Sequence, residues 1–325
     1  MRDVRLVMGH PGRFKALFDG RVAVDGVNLK TSTLPFNDLF RVIPENDDFD
    51  VAELSTTALL WGIDHGRDWI ALPIITGWAF ASHADTVCHV NAGIAKPQEL
   101  KGKKVGVPEY PVAAIVWIRD ALESKYGVRP QDIRWVEERT PKQSHYRGAG
   151  YAPPAGVPVE PIPAGRNLAE MLIAGELDAV IRYLEKPKQM SLAELGAQPS
   201  VKWLYPDRKA EGIAHCKAQG YFDPIHLMIM KKSLADANPG LAMALVRAFS
   251  KAYALSEDPN VVVPASYALS SDEQRDVAGA GFSPVGVNAQ RKAMERLLVL
   301  AHREGYTPGG QLALERVFHE STLQS

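Results

Sequence analysis

Much that would assign a chain to a functional class is missing from this sequence. Cysteine is scarce: Cys88 and Cys216 are the only two in 325 residues. That excludes a disulfide-built scaffold and makes two free thiols the expectation. No run approaches the ~18 apolar residues of a membrane-spanning helix, so the membrane is not an expected partner. Near the amino terminus, Leu6-Val7-Met8 gives way at once to Gly9-His10-Pro11. An export signal needs about 7–15 apolar residues, and a cytoplasmic protein is therefore expected. Neither sign of charge is in excess. The 37 Lys and Arg against 38 Asp and Glu give a formal net charge of -1, and nucleic acid is not an expected partner. There is no Walker loop, no G-x-G-x-x-G fingerprint, no G-x-S-x-G elbow, and no HExxH or CxxC spacing. No motif demands a cofactor, although several histidines and carboxylates leave room for a divalent ion such as Mg²⁺ or Mn²⁺.

The composition itself, 46% hydrophobic and 23% charged, is that of a globular protein with enough chain for two compact units. Short apolar runs alternate with helical patterns. Val4–Met8, Val27–Leu34, Asp50–Leu54 and Trp69–Ile75 read as strands; Arg13–Phe18, Phe36–Val42 and Thr56–Gly62 read as the helices between them. The pattern restarts with strands at Thr86–Val90, Lys104–Val107, Ile133–Glu137 and Asp178–Ile181, and helices at Pro111–Tyr126 and Asn167–Ala174. Residues 139–166, rich in proline, glycine and tyrosine, read as a long surface loop that either forms a lid or merely decorates the surface. His226–Met230 is a last strand. Helical patterns follow at Leu241–Leu255, Asp272–Val277, Asn288–Arg303 and Gln311–Phe318. Strands separated by helices predict parallel α/β sheets. A four-residue echo, Phe49-Asp50-Val51-Ala52 against Leu177-Asp178-Ala179-Val180, fits either two equivalent lobes or chance. Leu297, Leu298 and Leu300 fit either core or a subunit contact, so a homo-oligomer stays open.

The stretch Gln98–Trp117, QELKGKKVGVPEYPVAAIVW, has the order basic turn, strand, loop, helix. Pro111 suits a first helical turn, and free N–H groups around Val112, Ala113 and Ala114 could receive an anion. Ligands of open α/β sheets sit at the carboxyl ends of strands. Glu109, Tyr110, Val112 and Ala113 are therefore candidate binding residues.

The same region, KGKKVGVPEYPVAAIVWIRDALESKYGVRPQDIRW, resembles the signature region of the 4,5-dihydroxyphthalate decarboxylase family. ALFDGRVAVDGVNL, FDVAELSTTALL, GELDAVI, LYPD and GYFDPIHLMIMKK are similar to other family segments, so the likeness runs from about residue 5 to residue 255. It implies a two-lobed type II periplasmic-binding-protein-like α/β fold with a ligand cleft between the lobes. Lobe 1 would be 1–84 plus 227–325, and lobe 2 would be 85–226. It also implies a decarboxylase acting on a small aromatic carboxylate. Two segments depart from the family pattern. Gly9-His10-Pro11-Gly12-Arg13-Phe14 replaces a D-Y-D-R-T-like segment, and Thr76–His83 replaces an S-R-x-F-R-H-like one.

Aromatic decarboxylation without an organic cofactor needs a cation or N–H cluster for the acid, best a bidentate arginine, and an acid to protonate the ring carbon. On this reading His226, Glu53 and His10 are the catalytic candidates. Arg13, Ser55, Thr56, His83 and Arg182 join the binding set. The competing roles are structural: helix capping for Glu53, an ion pair with Glu185 for Arg182, and a hydrogen-bonded core histidine for His226; Ser55 and Thr56 could cap the next helix while also facing a ligand. The alternative class is a non-catalytic solute-binding protein of an ABC-type uptake system for an aromatic or related organic anion.

Overall fold

The computed structural model describes residues 2–325 apart from 47, 81, 141, 146–149, 184–188, 257–272, 274–275 and 278–282. Half of the expected helix Asp272–Val277 lies outside the described residues, and so does Glu185. Contacts divide the chain into two units: the first runs from the amino terminus to Trp78 and resumes at Pro224, and the second takes Ala79–Asp223.

The strands are β1 (Arg2–Met8), β2 (Val27–Thr33), β3 (Val51–Ser55), β4 (Trp69–Ala79), β5 (Thr86–His89), β6 (Lys104–Val107), β7 (Arg134–Glu137), β8 (Val159–Pro161), β9 (Ala179–Ile181), β10 (Val201–Trp203) and β11 (Asp223–Lys231). The first unit's sheet has the order β2-β1-β3-β11-β4. β1 runs parallel to β2 and β3, while β11 returns antiparallel to β3 with His226 opposite Ser55. The second unit's sheet has the order β10-β5-β9-β6-β7-β8, with β5 antiparallel to β9.

Without β8, the second order read backwards is β7-β6-β9-β5-β10, which repeats β2-β1-β3-β11-β4 position by position. The echo between Asp50 and Asp178 falls on this repeat. Asp50 precedes β3 and accepts the backbone N–H of Arg5 in β1 at 2.8 Å. Asp178 precedes β9 and accepts the backbone N–H of Lys104 in β6 at 2.7 Å. Each aspartate also donates its own N–H to that residue's carbonyl, at 2.9 Å in both units. The two four-residue segments, with their shared aspartate, thus mark the same join in two equivalent sheets.

Strand periodicity explains the second unit's core. Cys88, Trp135, Ala179 and Ile181 point to one apolar cluster, and Val87, Val136 and Val180 to the other. In the first unit all five residues of β3 are buried, as expected for an inner strand covered on both faces. Leu297, Leu298 and Leu300 are buried within this chain.

Two expectations change, and one helix is new. Residues 139–166 are not a plain surface loop: β8 pairs parallel with β7, and Tyr151, Val157 and Val159 pack on the core. Their apolar residues are too sparse for a period, so register with β7, a tertiary fact, decides. The strand read as Trp69–Ile75 continues to Ala79. The helix Arg208–Gln219 carries little amphipathic signal, since only Gly212 and Cys216 are buried; Asp207 caps it by accepting the N–H of Ala210.

Candidate active site

Glu53 is the one charged residue in β3, and it is 1% exposed. A buried carboxylate needs donors, and the structure supplies them. The Gly9 N–H, just past the end of β1, donates to Oε2 at 2.8 Å. The Thr76 hydroxyl of β4 donates to Oε1 at 2.6 Å. Both donors come from the two segments that depart from the family pattern.

His226 stands beside this carboxylate on β11. Its Nδ1 is 3.6 Å from Glu53 Oε1, and that buried nitrogen has no hydrogen-bond partner. The side chain is 18% exposed, so the exposed part of the ring is not Nδ1. Phe40 meets the ring edge-on at 4.5 Å and Phe36 lies 5.4 Å from it. Gly77 makes room: a Cβ there would stand 2.9 Å from Nδ1. With Nδ1 facing Glu53, Nε2 is the ring nitrogen left for another partner.

Arg13 is buried, its guanidinium 4.8 Å over the Trp78 ring. His10 is exposed at the end of β1. Ser55 occupies the N-cap position of the helix Thr56–Asp64, but its hydroxyl pairs with Thr57 Oγ1 at 3.1 Å instead of capping. The Thr56 hydroxyl donates to the Pro224 carbonyl. Neither Ser55 nor Thr56 plays the capping part expected from sequence.

The second unit gives its candidates different surroundings. Glu109 accepts from Arg139 at 3.0 Å and from Ser144 and the His145 N–H, so its charge is answered within the unit. Tyr110 is fully buried beneath the Arg119 guanidinium, 3.8 Å from the ring centroid, and belongs to the second unit's core. Glu109, Tyr110, Glu137 and Ser144 line a cavity of about 330 Å³. Burial, reinforced by the charge of Glu109, pushes the Glu137 carboxyl up despite the Tyr110 N–H. Two carboxylates make this a poor home for an anion. Val112 caps the helix Ala113–Tyr126 through its backbone, and Ala113 is buried. Arg182, just past β9, holds a left-handed φ of 57°, a strained conformation for a side-chain-bearing residue.

His83 is 1% exposed and bonded through Nε2 to Glu211 Oε1 at 2.8 Å. Lys125 and the Tyr126 hydroxyl bond the same oxygen. Burial holds the His83 imidazole below its usual range despite Glu211. Burial opposes ionisation of Glu211 too, yet its three hydrogen bonds bring it down to about 2. Burial, with the charges of His83 and Lys125, pushes His215 down to about 3. His83 is thus enclosed in a core network, a correction to the open binding role expected from sequence.

No family model matches the chain. A curated relative does: a 4,5-dihydroxyphthalate decarboxylase from Comamonas testosteroni is 30% identical over 330 residues, covering 99% of this chain and 98% of that protein. The chain belongs to the 4,5-dihydroxyphthalate decarboxylase family. A second such decarboxylase, from Pseudomonas putida, is 31% identical over 67% of this chain and 83% of its own length. Among solved structures, a putative periplasmic sulfonate-binding protein of a Methylobacillus flagellatus ABC transporter superposes with a TM-score of 0.57 at 12% identity, over 99% of this chain and 93% of that one. The desulfurization enzyme DSZB gives 0.50 at 15% identity, over 98% and 97%. These place the decarboxylase family on the periplasmic-binding-protein fold.

Glu53 and His226, both singled out in the sequence, lie side by side here; Gly9, Thr76, Gly77, Phe36 and Phe40, which surround them, were not singled out. The available signal was a Thr-Gly pair inside an apolar strand run. Among the described residues, no group of three or more His, Cys, Asp or Glu is placed to hold a metal ion. Glu53 and His226 are two donors without a third, unlike the oxygen-rich shell that Mg²⁺ or Mn²⁺ takes. Among the same residues no helix is long and apolar enough to cross a membrane.

Proposed function

We propose that this chain decarboxylates a hydroxylated aromatic acid of the 4,5-dihydroxyphthalate type. The observation that carries the reading is the pair formed by His226 and the buried, doubly hydrogen-bonded Glu53, in a chain of this family. A hydroxyl para to the leaving carboxylate pushes electrons into the ring. Protonated His226 gives the Nε2 proton to the carboxylate-bearing carbon. The carbon–carbon bond then breaks, its electron pair restores the ring, and CO₂ leaves. His226 recovers a proton from water. Overall, one aromatic carboxylate and one proton give one arene and one CO₂. Glu53 holds the imidazole in place, its Oε1 3.6 Å from Nδ1, as carboxylates orient histidines in acid–base pairs. Arg13 is assigned to the carboxylate in the first unit. No step is routed through a metal, because the donor set does not fit one.

A part in phthalate breakdown and a cytoplasmic location belong to the same proposal. The buried free thiols Cys88 and Cys216 are in keeping with a reducing compartment.

The test is to mix purified protein with 4,5-dihydroxyphthalate, with and without EDTA or added Mg²⁺ or Mn²⁺, and to follow CO₂ and ring absorbance. Turnover is expected, and His226→Ala should lower it about 10²–10⁴-fold, the usual worth of a general acid. Binding without turnover would move the chain to the solute-receptor class. A strict metal requirement would overturn the metal-free step.

A further inference from the structure

Phe36 opens the helix Phe36–Val42 directly after Pro35. It is 42% exposed, unusual for so large an apolar side chain beside buried charged groups. Its ring packs closely on Gly9, where a Cβ would stand 2.1 Å from Cε1. Gly9 does not have a left-handed backbone, so glycine is needed there for space and not for conformation. The Phe36 ring centroid is 5.4 Å from His226 and 5.7 Å from Phe40. The three rings divide their tasks. Phe40, 3% exposed, steadies the imidazole by its edge. Phe36 touches the same imidazole but keeps surface open to solvent.

We infer that Phe36 is the platform on which the substrate's aromatic ring rests, setting the ring beside His226 and selecting planar aromatic diacids over saturated ones. The inference deepens the decarboxylase reading and rests on it. A flat ring stacked on a phenylalanine gains offset contact between faces that a puckered ring cannot match, worth roughly three- to tenfold in affinity. The proton donor needs the ring placed, not merely held. A platform touching both the Gly9 backbone and the imidazole fixes that placement in the same frame as Glu53, which the Gly9 N–H also bonds.

A plainer role competes: Phe36 could only shield the Gly9–Glu53 hydrogen bond from water. Leucine would shield about as well but offers no π-face, so Phe36→Leu separates the two. The experiment measures kcat and KM for 4,5-dihydroxyphthalate, and the dissociation constants of phthalate and cis-cyclohexane-1,2-dicarboxylate by calorimetry, in the unaltered protein, Phe36→Leu and Phe36→Trp. Melting temperatures report folding. For Phe36→Leu, KM and the phthalate constant should rise three- to tenfold while the saturated diacid binds as before. Phe36→Trp should keep the preference for phthalate even if the leucine variant folds poorly. Equal weakening of both diacids, or no change in either, overturns the platform. So does failure of the unaltered protein to bind phthalate. Absence of turnover with selective, Phe36-dependent binding would instead overturn the decarboxylase reading and leave the platform standing.

Discussion

Gly77 has no side chain because His226 fills the space where one would be. A Cβ there would meet Nδ1 at 2.9 Å, Cγ at 3.2 Å and the His226 Cβ at 3.3 Å. Gly77 does not have a left-handed backbone, so alanine adds bulk without strain at its own position. Gly77→Ala should therefore push the imidazole away from Glu53. Turnover of 4,5-dihydroxyphthalate should fall tenfold or more, with an overpacking cost of about 1–3 kcal/mol by urea denaturation. Unchanged kinetics would show that the ring is not held where the reaction needs it. Glu53 was legible in the sequence because a charge inside an apolar strand demands an explanation. Gly9, Thr76 and Phe36 were not. Each matters through a neighbour on another element, and nothing local distinguishes a threonine that bonds a buried carboxylate from one that fills a strand.

At the scale of elements, the aspartates that open β3 and β9 perform the same task twice. Each ties its strand to the neighbouring parallel strand through a backbone N–H. Asp50 has more to lose, since it also bonds the Arg5 guanidinium through both carboxylate oxygens. Asp50→Ala and Asp178→Ala should each cost about 1–3 kcal/mol, the range for hydrogen bonds to charged groups, with Asp50→Ala the larger; urea denaturation measures both. Burial pushes the Asp50 carboxyl up, but the Arg5 bonds outweigh it and hold it below its usual value. Its contribution is present above the unfolded carboxyl's range and lost as pH falls through the lower folded value. Asp50→Ala should therefore remove part of the acid sensitivity as well. The strand Lys104–Val107 was read to the residue because local punctuation bounds it, a basic Gly102 turn before it and Pro108 after it. β8 and β10 are three residues each, too short to carry a period, and only their partners define them.

For the molecule as a whole, acid stability turns on the network around Glu211. His83, Lys125, Tyr126, Tyr205 and His215 face it or one another, and Asp85 adds its charge near His83. His83 and His215 resist protonation when folded, His215 down to about 3. The unfolded chain protonates them near 6.5, so it binds more protons between those values, and stability falls as pH drops through that window. Glu211, at about 2 when folded, adds its loss only below the usual glutamate value. Buried Asp223, raised to about 7 by desolvation, runs the other way, costing stability as pH rises from about 4 to 7. The difference between His215→Asn and the unaltered protein isolates the histidine part. The variant should gain in relative melting temperature as pH falls from 6.5 to 4.5; a constant difference would refute the assignment.

The place of β11 between β3 and β4 also orders events at the ribosome. Ala79–Asp223 is one uninterrupted stretch, and its sheet can close as soon as it emerges. The sheet begun by β1 to β4 must wait for a strand that ends at Lys231. At translation speeds of about 5–20 residues per second, that wait is roughly eight to thirty seconds. Throughout it, β3 and β4 have unpaired edges open to other chains. The earliest-made strands are thus the last to be secured, and this is the interval in which a nascent chain most needs a chaperone.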